Sequence, residues 1–536
     1  MNNKFDKTLF LTKFSIRRDV WKLLAWIIAL SGIMTVIAIK FSDIYGSKSS
    51  ILAIESTLKS TSMVSMFGSF DIPFKTSADV FGAEMLIFMA IMMIVMNIYF
   101  SVQGSIGEES KGLTELISSK SVGKFAIILS LTLEILILNL LVGILFGLGI
   151  QFSGMSGVTT EGAWLIAMSL AMEGLFFGMV GLLMAQLADS TRTANILSYL
   201  VFGIIYIARI ITDLKNPKLT WFNPLGIIEK ISAFHANNWT PVFTLLVLCV
   251  VIWALAVFFN QYRDIGSGIF AARNGRSKAS MVLTGPMSLV WRLHRGNIVV
   301  WSIGLLILGV TYGSIFNTIG DILKTNPTMQ TVFGKGAVDA ANHQILLNFL
   351  SIIVIVCIGL AVIPAVQIMN SLKSDQEKGY LENIYAKKVT RFRMFISYLF
   401  WSIFTGILSF FISLLGVYFS GNSVLKHGKL DFEIYWHIFI AYLPVIFTVV
   451  AISAIIVGLI PKYSFISWVY VFYGIFSMYL GSLLKLPDWA KKITSFGWGN
   501  RVPVESINYN YVWSMLLISM ILIIIGYIGY RNRDLV

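Results

Sequence analysis

The chain has 536 residues, 57% of them hydrophobic and only 13% charged, with a formal net charge of +14. A soluble domain covers its surface with about 25% charged residues, so most of this chain must face lipid or other buried helices. No basic patch on a soluble domain accompanies the positive charge, which excludes nucleic acid as the partner and fits the Lys- and Arg-rich inner loops of a membrane protein.

The basic N-terminus runs into an apolar stretch that is too long for a signal peptide and lacks a small-residue cleavage site, so the first span is read as retained. Ahead of it, Phe10, Phe14 and Trp21 share one helical face interrupted by Lys13 and Arg17. That pattern suits an interfacial helix, or a plain positive flank. A helix crossing the hydrocarbon core needs about 20 apolar residues. Such runs occur at 21–41, 82–103, 124–149, 163–188, 194–213 and 240–260, then at 297–318, 344–370, 394–419, 435–460, 464–484 and 510–530. The runs are continuous rather than alternating, which excludes a β-barrel. Arg17 and Arg18, then Arg263, Arg273, Arg276, Lys278, Arg292 and Arg295, then Lys387, Lys388, Arg391 and Arg393 mark the inside segments and place both termini inside. The expected fold is therefore an all-α polytopic protein of the plasma membrane, with about twelve transmembrane helices.

An internal repeat organises these spans. The loop after the second, GEESKGLTELISSKSVGKF (Gly107 to Phe125), aligns without a gap on the loop after the eighth, SDQEKGYLENIYAKKVTRF (Ser374 to Phe392). Glu108 meets Asp375, Lys111 meets Lys378, Gly112 meets Gly379, Glu115 meets Glu382, Lys120 meets Lys387 and Phe125 meets Phe392. Two six-helix halves follow: residues 1–260 and 297–536, joined by a basic linker at 261–296. Each half also ends in a Pro- and Trp-containing outer segment, Thr220 to Val242 and Leu486 to Trp513.

Three groups of residues are candidates for mechanism. Each repeated loop carries acidic residues, a glycine, and a glutamate about one helical turn beyond that glycine. With Leu113, Leu116 and Ile117 beside it, the first suits docking in a cleft of an inner partner; the alternative is a solvated connection. Glu134 and Glu173 each lie about ten residues into their spans, at similar expected depth. A carboxylate there costs about 2.5–3.5 kcal/mol, so it faces a cavity, substrate or cation, or is protonated or hydrogen-bonded between helices. The position aligned with Glu134 is Trp401, so this feature is not duplicated. Arg209 and Asp213, one turn apart, read as a local ion pair. Cys249 and Cys357 both lie in apolar runs and give neither a disulfide framework nor a metal site. Neither Gly334-Lys335 nor Gly428-Lys429 has the rest of a phosphate-binding loop, and no catalytic constellation or metal motif is visible.

The two loops, together with AQLADSTRTANILSY (Ala185 to Tyr199) and FNPLGIIEKISAFHANNWTPV (Phe222 to Val242), resemble the ABC-2 type permeases. Within these the whole chain is similar to the single-chain, twelve-span subgroup described as exporters of polyketide antibiotics or other drugs. The resemblance implies a type V exporter fold without ATP or Mg bound in this chain. It implies a separate ABC ATPase subunit, two copies of which dock on two cytoplasmic coupling helices. Glu108, Glu109, Gly112 and Glu115 would belong to the first of these, and Asp375, Glu377, Gly379 and Glu382 to the second. The family's Pro before Val is Ser121 in one loop and Lys388 in the other, and Asn383 stands where Leu is usual. An amphiphilic substrate and membrane lipids complete the expected partners. Two rivals are a gradient-driven secondary transporter using Glu134 and Glu173, and a lipid-modifying enzyme, for which Asp71, Asp79, Asp321 and Asp339 form no constellation.

Overall fold

The computed structural model describes residues 4–59, 61–70, 73–264, 266, 268, 281–316, 335–387, 389–425, 428–479, 481, 486–498 and 502–534. Arg273, Gly275, Arg276, Lys278, Lys388, Asp71, Asp321 and Gly334 lie outside them. The chain divides into two compact units, Met1–Gly275 and Arg276–Val536.

In the first unit the helices are α1 (Thr8–Tyr45), α2 (Lys48–Leu58), α3 (Thr61–Phe67), α4 (Ser77–Gly104), α5 (Ile106–Glu109), α6 (Leu113–Ser118), α7 (Ala126–Gln151), α8 (Thr160–Leu187), α9 (Thr191–Lys215) and α10 (Thr240–Tyr262). In the second they are α11 (Pro286–Ser314), α12 (Lys335–Glu377), α13 (Tyr380–Tyr385), α14 (Arg391–Val424), α15 (Phe432–Leu459), α16 (Ile466–Tyr479), α17 (Asp488–Lys491) and α18 (Tyr509–Asn532). Among the described residues 11 helices are long and apolar enough to cross a membrane. The chain is thus an all-α, multi-pass membrane protein. The run expected at 464–484 holds α16, whose 14 described residues reach about 21 Å, short of the roughly 30 Å of hydrocarbon.

Lipid offers no hydrogen bonds, so every apolar run must satisfy its own backbone as a helix. That rule also fixes the ends. Thr76 caps α4 by accepting from the Asp79 amide while the Asp79 carboxylate accepts from the Thr76 amide, and Thr159, Ser190 and Thr390 cap α8, α9 and α14. Residues 8–22 contain no Gly or Pro, and α1 runs through them unbroken for 38 residues. The expected separate interfacial helix is therefore the first turns of α1. Its aromatic face remains uncovered: Phe10, Phe14 and Trp21 are all exposed.

Both units pack by one plan. In the first, α8 is the centre, touching α4, α7, α9 and α10, while α1 lies on α7. In the second, α15 touches α12, α14 and α18, while α11 lies on α14. Small residues permit the closest approach, as usual between helices in a membrane. A Cβ on Gly309 of α11 would collide with the Ser413 carbonyl oxygen of α14.

Candidate functional site

From the glycine onward the two repeated loops have the same backbone, although before it α4 breaks at Ser105 while α12 runs unbroken to Glu377. α4 ends, α5 makes one short turn, and Gly112 adopts φ 73° before the six residues of α6. In the other unit Gly379 adopts φ 71° before the six residues of α13. The left-handed conformation reverses the chain and costs a residue with a Cβ about 1–2 kcal/mol, which explains glycine at both positions. The bonding repeats as well. The Gly112 amide donates to the Glu109 carbonyl and the Gly379 amide to the Gln376 carbonyl, both at 2.9 Å. Glu115 and Glu382 stand in the first turns of α6 and α13 and are exposed, as are Lys111, Lys120, Lys378 and Lys387. Leu116 is exposed, Leu113 and Ile117 half-buried.

The inward sides differ. Glu108 pairs with Arg18 of α1, which also binds Asp19 at 2.5 Å, and Lys22 joins Asp19 at 2.5 Å. Glu109 pairs with Arg263, the residue that caps the C-terminus of α10, and also accepts from the Gly266 amide. In the other unit Asp375 accepts a hydrogen bond from Tyr398 at 2.6 Å. Gln376, the counterpart of Glu109, accepts one from Arg533 at 2.5 Å. Glu377 is exposed and lies 3.4 Å from Lys373 one turn back. The sequence reading took Arg263 only as an inside marker and missed Arg533, although a signal was present: each half's last helix is followed by Arg-Asp, at 263–264 and 533–534.

Glu134 and Glu173 are not brought together. Glu134 lies about 12 Å up α7 from its start, and lines a small cleft with Arg18, Glu108 and Ser130. Glu173 lies about 21 Å from the end of α8 on that face. It is fully buried, next to Cys249 of α10, with neither carboxylate oxygen hydrogen-bonded. A further intramembrane carboxylate, Glu84 in α4, accepts from Tyr45 at 3.1 Å; a lone Glu inside the run 82–103 was its sequence signal.

At the opposite end of the same helices Arg209 and Asp213 do pair, at 3.5 Å, and both are buried. A third member arrives from the segment between α9 and α10: Glu229 lies 3.4 Å from Arg209. Arg209 also donates to the carbonyls of Ser65 and Met66, and Glu229 accepts from the Ser69 amide at 3.0 Å. This cluster ties the end of α3 and the residues just after it to α9. Burial, reinforced by the Asp213 charge, pushes the Glu229 carboxyl up to about 8 against the opposing pull of Arg209. Beside it a cavity of about 260 Å³ is lined by Asp79, Phe70, Trp221 and Lys230. Among the described residues no group of three or more His, Cys, Asp or Glu is placed to hold a metal.

Membrane helices that end in two matched, charged loops define a class: multi-pass membrane proteins with paired loop surfaces outside the bilayer. Comparison with known proteins narrows this. Residues 283–531 match the family model described as the multidrug efflux system permease Rv1217c, C-terminal domain. Over 539 aligned residues the chain is 25% identical to the multidrug efflux system permease protein Rv1217c of Mycobacterium tuberculosis (strain ATCC 25618 / H37Rv), covering 99% of this chain and 95% of that relative.

Proposed function

We propose that this chain is the permease subunit of an ATP-driven exporter of the ABC-2 type. It moves a drug, antibiotic or other amphiphilic compound out across the plasma membrane. ATP and Mg are handled by a separate cytoplasmic ATPase, two copies of which dock on the loops carrying α6 and α13. The observation that carries this reading is the matched presentation of Glu115 and Glu382, exposed one turn beyond a left-handed glycine in both units. The likeness to a multidrug efflux permease over nearly the whole chain supports it. Movement of the ATPases on nucleotide binding is passed through these loops to the helix ends on either side of them. Purification from the native membrane in mild detergent should bring down a soluble ATPase at two copies per chain. Glu115→Gln together with Glu382→Gln should then abolish permease-stimulated ATP turnover; unchanged turnover in the double variant refutes the docking assignment.

One observation favours a second reading, gradient-driven transport: Glu173 is buried in mid-helix without a partner. Transport by the purified chain alone in proteoliposomes under a proton gradient, lost in Glu173→Gln, would decide for it.

A further inference from the structure

The loops look alike from outside, but they are fastened differently. Below α6 lies a cavity of about 350 Å³, bounded by Glu109, Ser118, Lys124, Leu131 and Arg263. Arg263 reaches across it from the end of α10. Its guanidinium pairs with Glu109 and donates at 3.1 Å to both the Ala185 carbonyl and the Gln186 side chain at the end of α8. Both paired side chains are buried, 5% exposed for Arg263 and 9% for Glu109. Arg18 makes a second ion pair to the same loop, through Glu108.

In the other unit Arg533 occupies the same place. It caps α18 and donates to the Val457 and Gly458 carbonyls at the end of α15 (2.8 and 3.3 Å). Its contact with the loop is to the neutral amide of Gln376. Here the counterparts of Ser118 and Leu131 are Tyr385 and Tyr398. Tyr385 bonds the Tyr530 hydroxyl at 2.5 Å, and Tyr398, 1% exposed, bonds Asp375. Large side chains stand where the first unit has a cavity wall.

We propose that Arg263 and Arg533 are positioning residues that clasp the two docking loops to the ends of the neighbouring helices, and that the first clasp is ionic while the second is neutral and backed by packed tyrosines. The loop bearing α6 then depends on ion pairs for its position, the buried one to Arg263 and the more exposed one to Arg18. The loop bearing α13 does not. This rests on the reading that both loops dock ATPases, and it assigns them unequal mechanical roles: the first loosens as its ion pairs open, the second moves as part of its unit.

The test is hydrogen exchange on the purified full-length chain, followed through peptides covering residues 110–120 and 378–387. Arg263→Gln and Glu109→Gln should each speed exchange in the first peptide about tenfold, the factor expected for losing a charge-assisted hydrogen bond. Arg533→Gln should change the second by less than about threefold, since the tyrosine contacts stay. Gln376→Glu, which creates the ion pair in the second unit, should slow exchange there. Unchanged exchange in the first peptide for both variants overturns the clasp, and equal loosening of the two loops overturns the asymmetry. ATP turnover of each variant reconstituted with its ATPase separates the two ideas. Loosened exchange with normal turnover keeps the clasp and removes the docking reading; normal exchange with lost turnover does the reverse.

Discussion

Replacing Glu229 by Gln should make the protein more stable in mild alkali, although it removes half of a buried ion pair. Arg209, Asp213 and Glu229 are 0%, 4% and 3% exposed, and two carboxylates share one guanidinium. With all three ionised the cluster carries one uncompensated negative charge away from water. Burial first, then the Asp213 charge, raise Glu229 from 4.5 to about 8. The folded chain therefore keeps a proton that the unfolded chain releases. Stability from this group is fully present below about pH 4.5, falls as pH rises, and reaches its floor above about pH 8. At about 1.4 kcal/mol per pH unit, holding that proton over this range amounts to about 5 kcal/mol. In Glu229→Gln the amide has no proton to lose and keeps an acceptor for the Ser69 amide, at a cost of about 1–2 kcal/mol in poorer hydrogen bonding. The variant should thus be less stable than the parent near pH 4.5, cross it between about pH 5 and 6, and exceed it by about 3–4 kcal/mol at pH 9. Thermal unfolding in detergent, followed by tryptophan fluorescence across that range, reads this directly. A parent chain without pH dependence, or a variant less stable than the parent at pH 9, would refute the assignment of the proton to Glu229.

Gly112→Val and Gly379→Val place a β-branched residue at φ 73° and 71° and should cost about 1–2 kcal/mol or more locally. Circular dichroism should be unchanged while stimulated ATP turnover falls by about tenfold or more, the factor that corresponds to a strain of that size. Gly309→Leu drives a side chain into the Ser413 carbonyl, so α11 and α14 must separate. Overpacking of this kind costs about 1–3 kcal/mol, and the variant should lose monodispersity on size exclusion, whereas Gly304→Leu, with open space around its Cβ, should not.

Most of the fold was legible because the bilayer allows so few solutions. An apolar run long enough to span is a helix, and eleven of the twelve runs fall on long apolar helices among the described residues, to within a few residues at their ends. Their ends were less legible. Hydropathy sees only the apolar part of α1, expected at 21–41, whereas the helix continues back to Thr8 because nothing in the basic flank interrupts it. The ion pair of Arg209 and Asp213 could be read at a spacing of one turn, but Glu229 could not, since it comes from another segment. Equal counting from the starts of antiparallel spans placed Glu134 and Glu173 at one depth. The helix bounds put them about 9 Å apart along the axes, one in a charged cleft and the other in a closed apolar core. The arginine clasps were hidden for a different reason: the Arg-Asp at the end of each half repeats, but the loop partner is a glutamate in one unit and a glutamine in the other, so no pair of opposite charges repeats.

That mixture of sameness and difference bears on function. Positions that fasten the two loops or pack behind them have drifted apart in chemistry: Glu109 against Gln376, and Leu131 of α7 against Tyr398 of α14. Each set satisfies its own packing, so the fold alone would accept either. Several outward positions stay matched in residue type and backbone: Lys111 and Lys378, the left-handed Gly112 and Gly379, Glu115 and Glu382, Lys120 and Lys387; Ser110 against Glu377, Leu116 against Asn383 and Ser119 against Ala386 differ. Packing cannot enforce that match, because these side chains are solvated and an exposed Lys or Glu contributes little to stability. A common surface held on two differently built supports is what two loops need if they meet the same kind of partner. The repeated Lys, Gly and Glu positions of the two outer faces support the proposed docking without appeal to the resemblance.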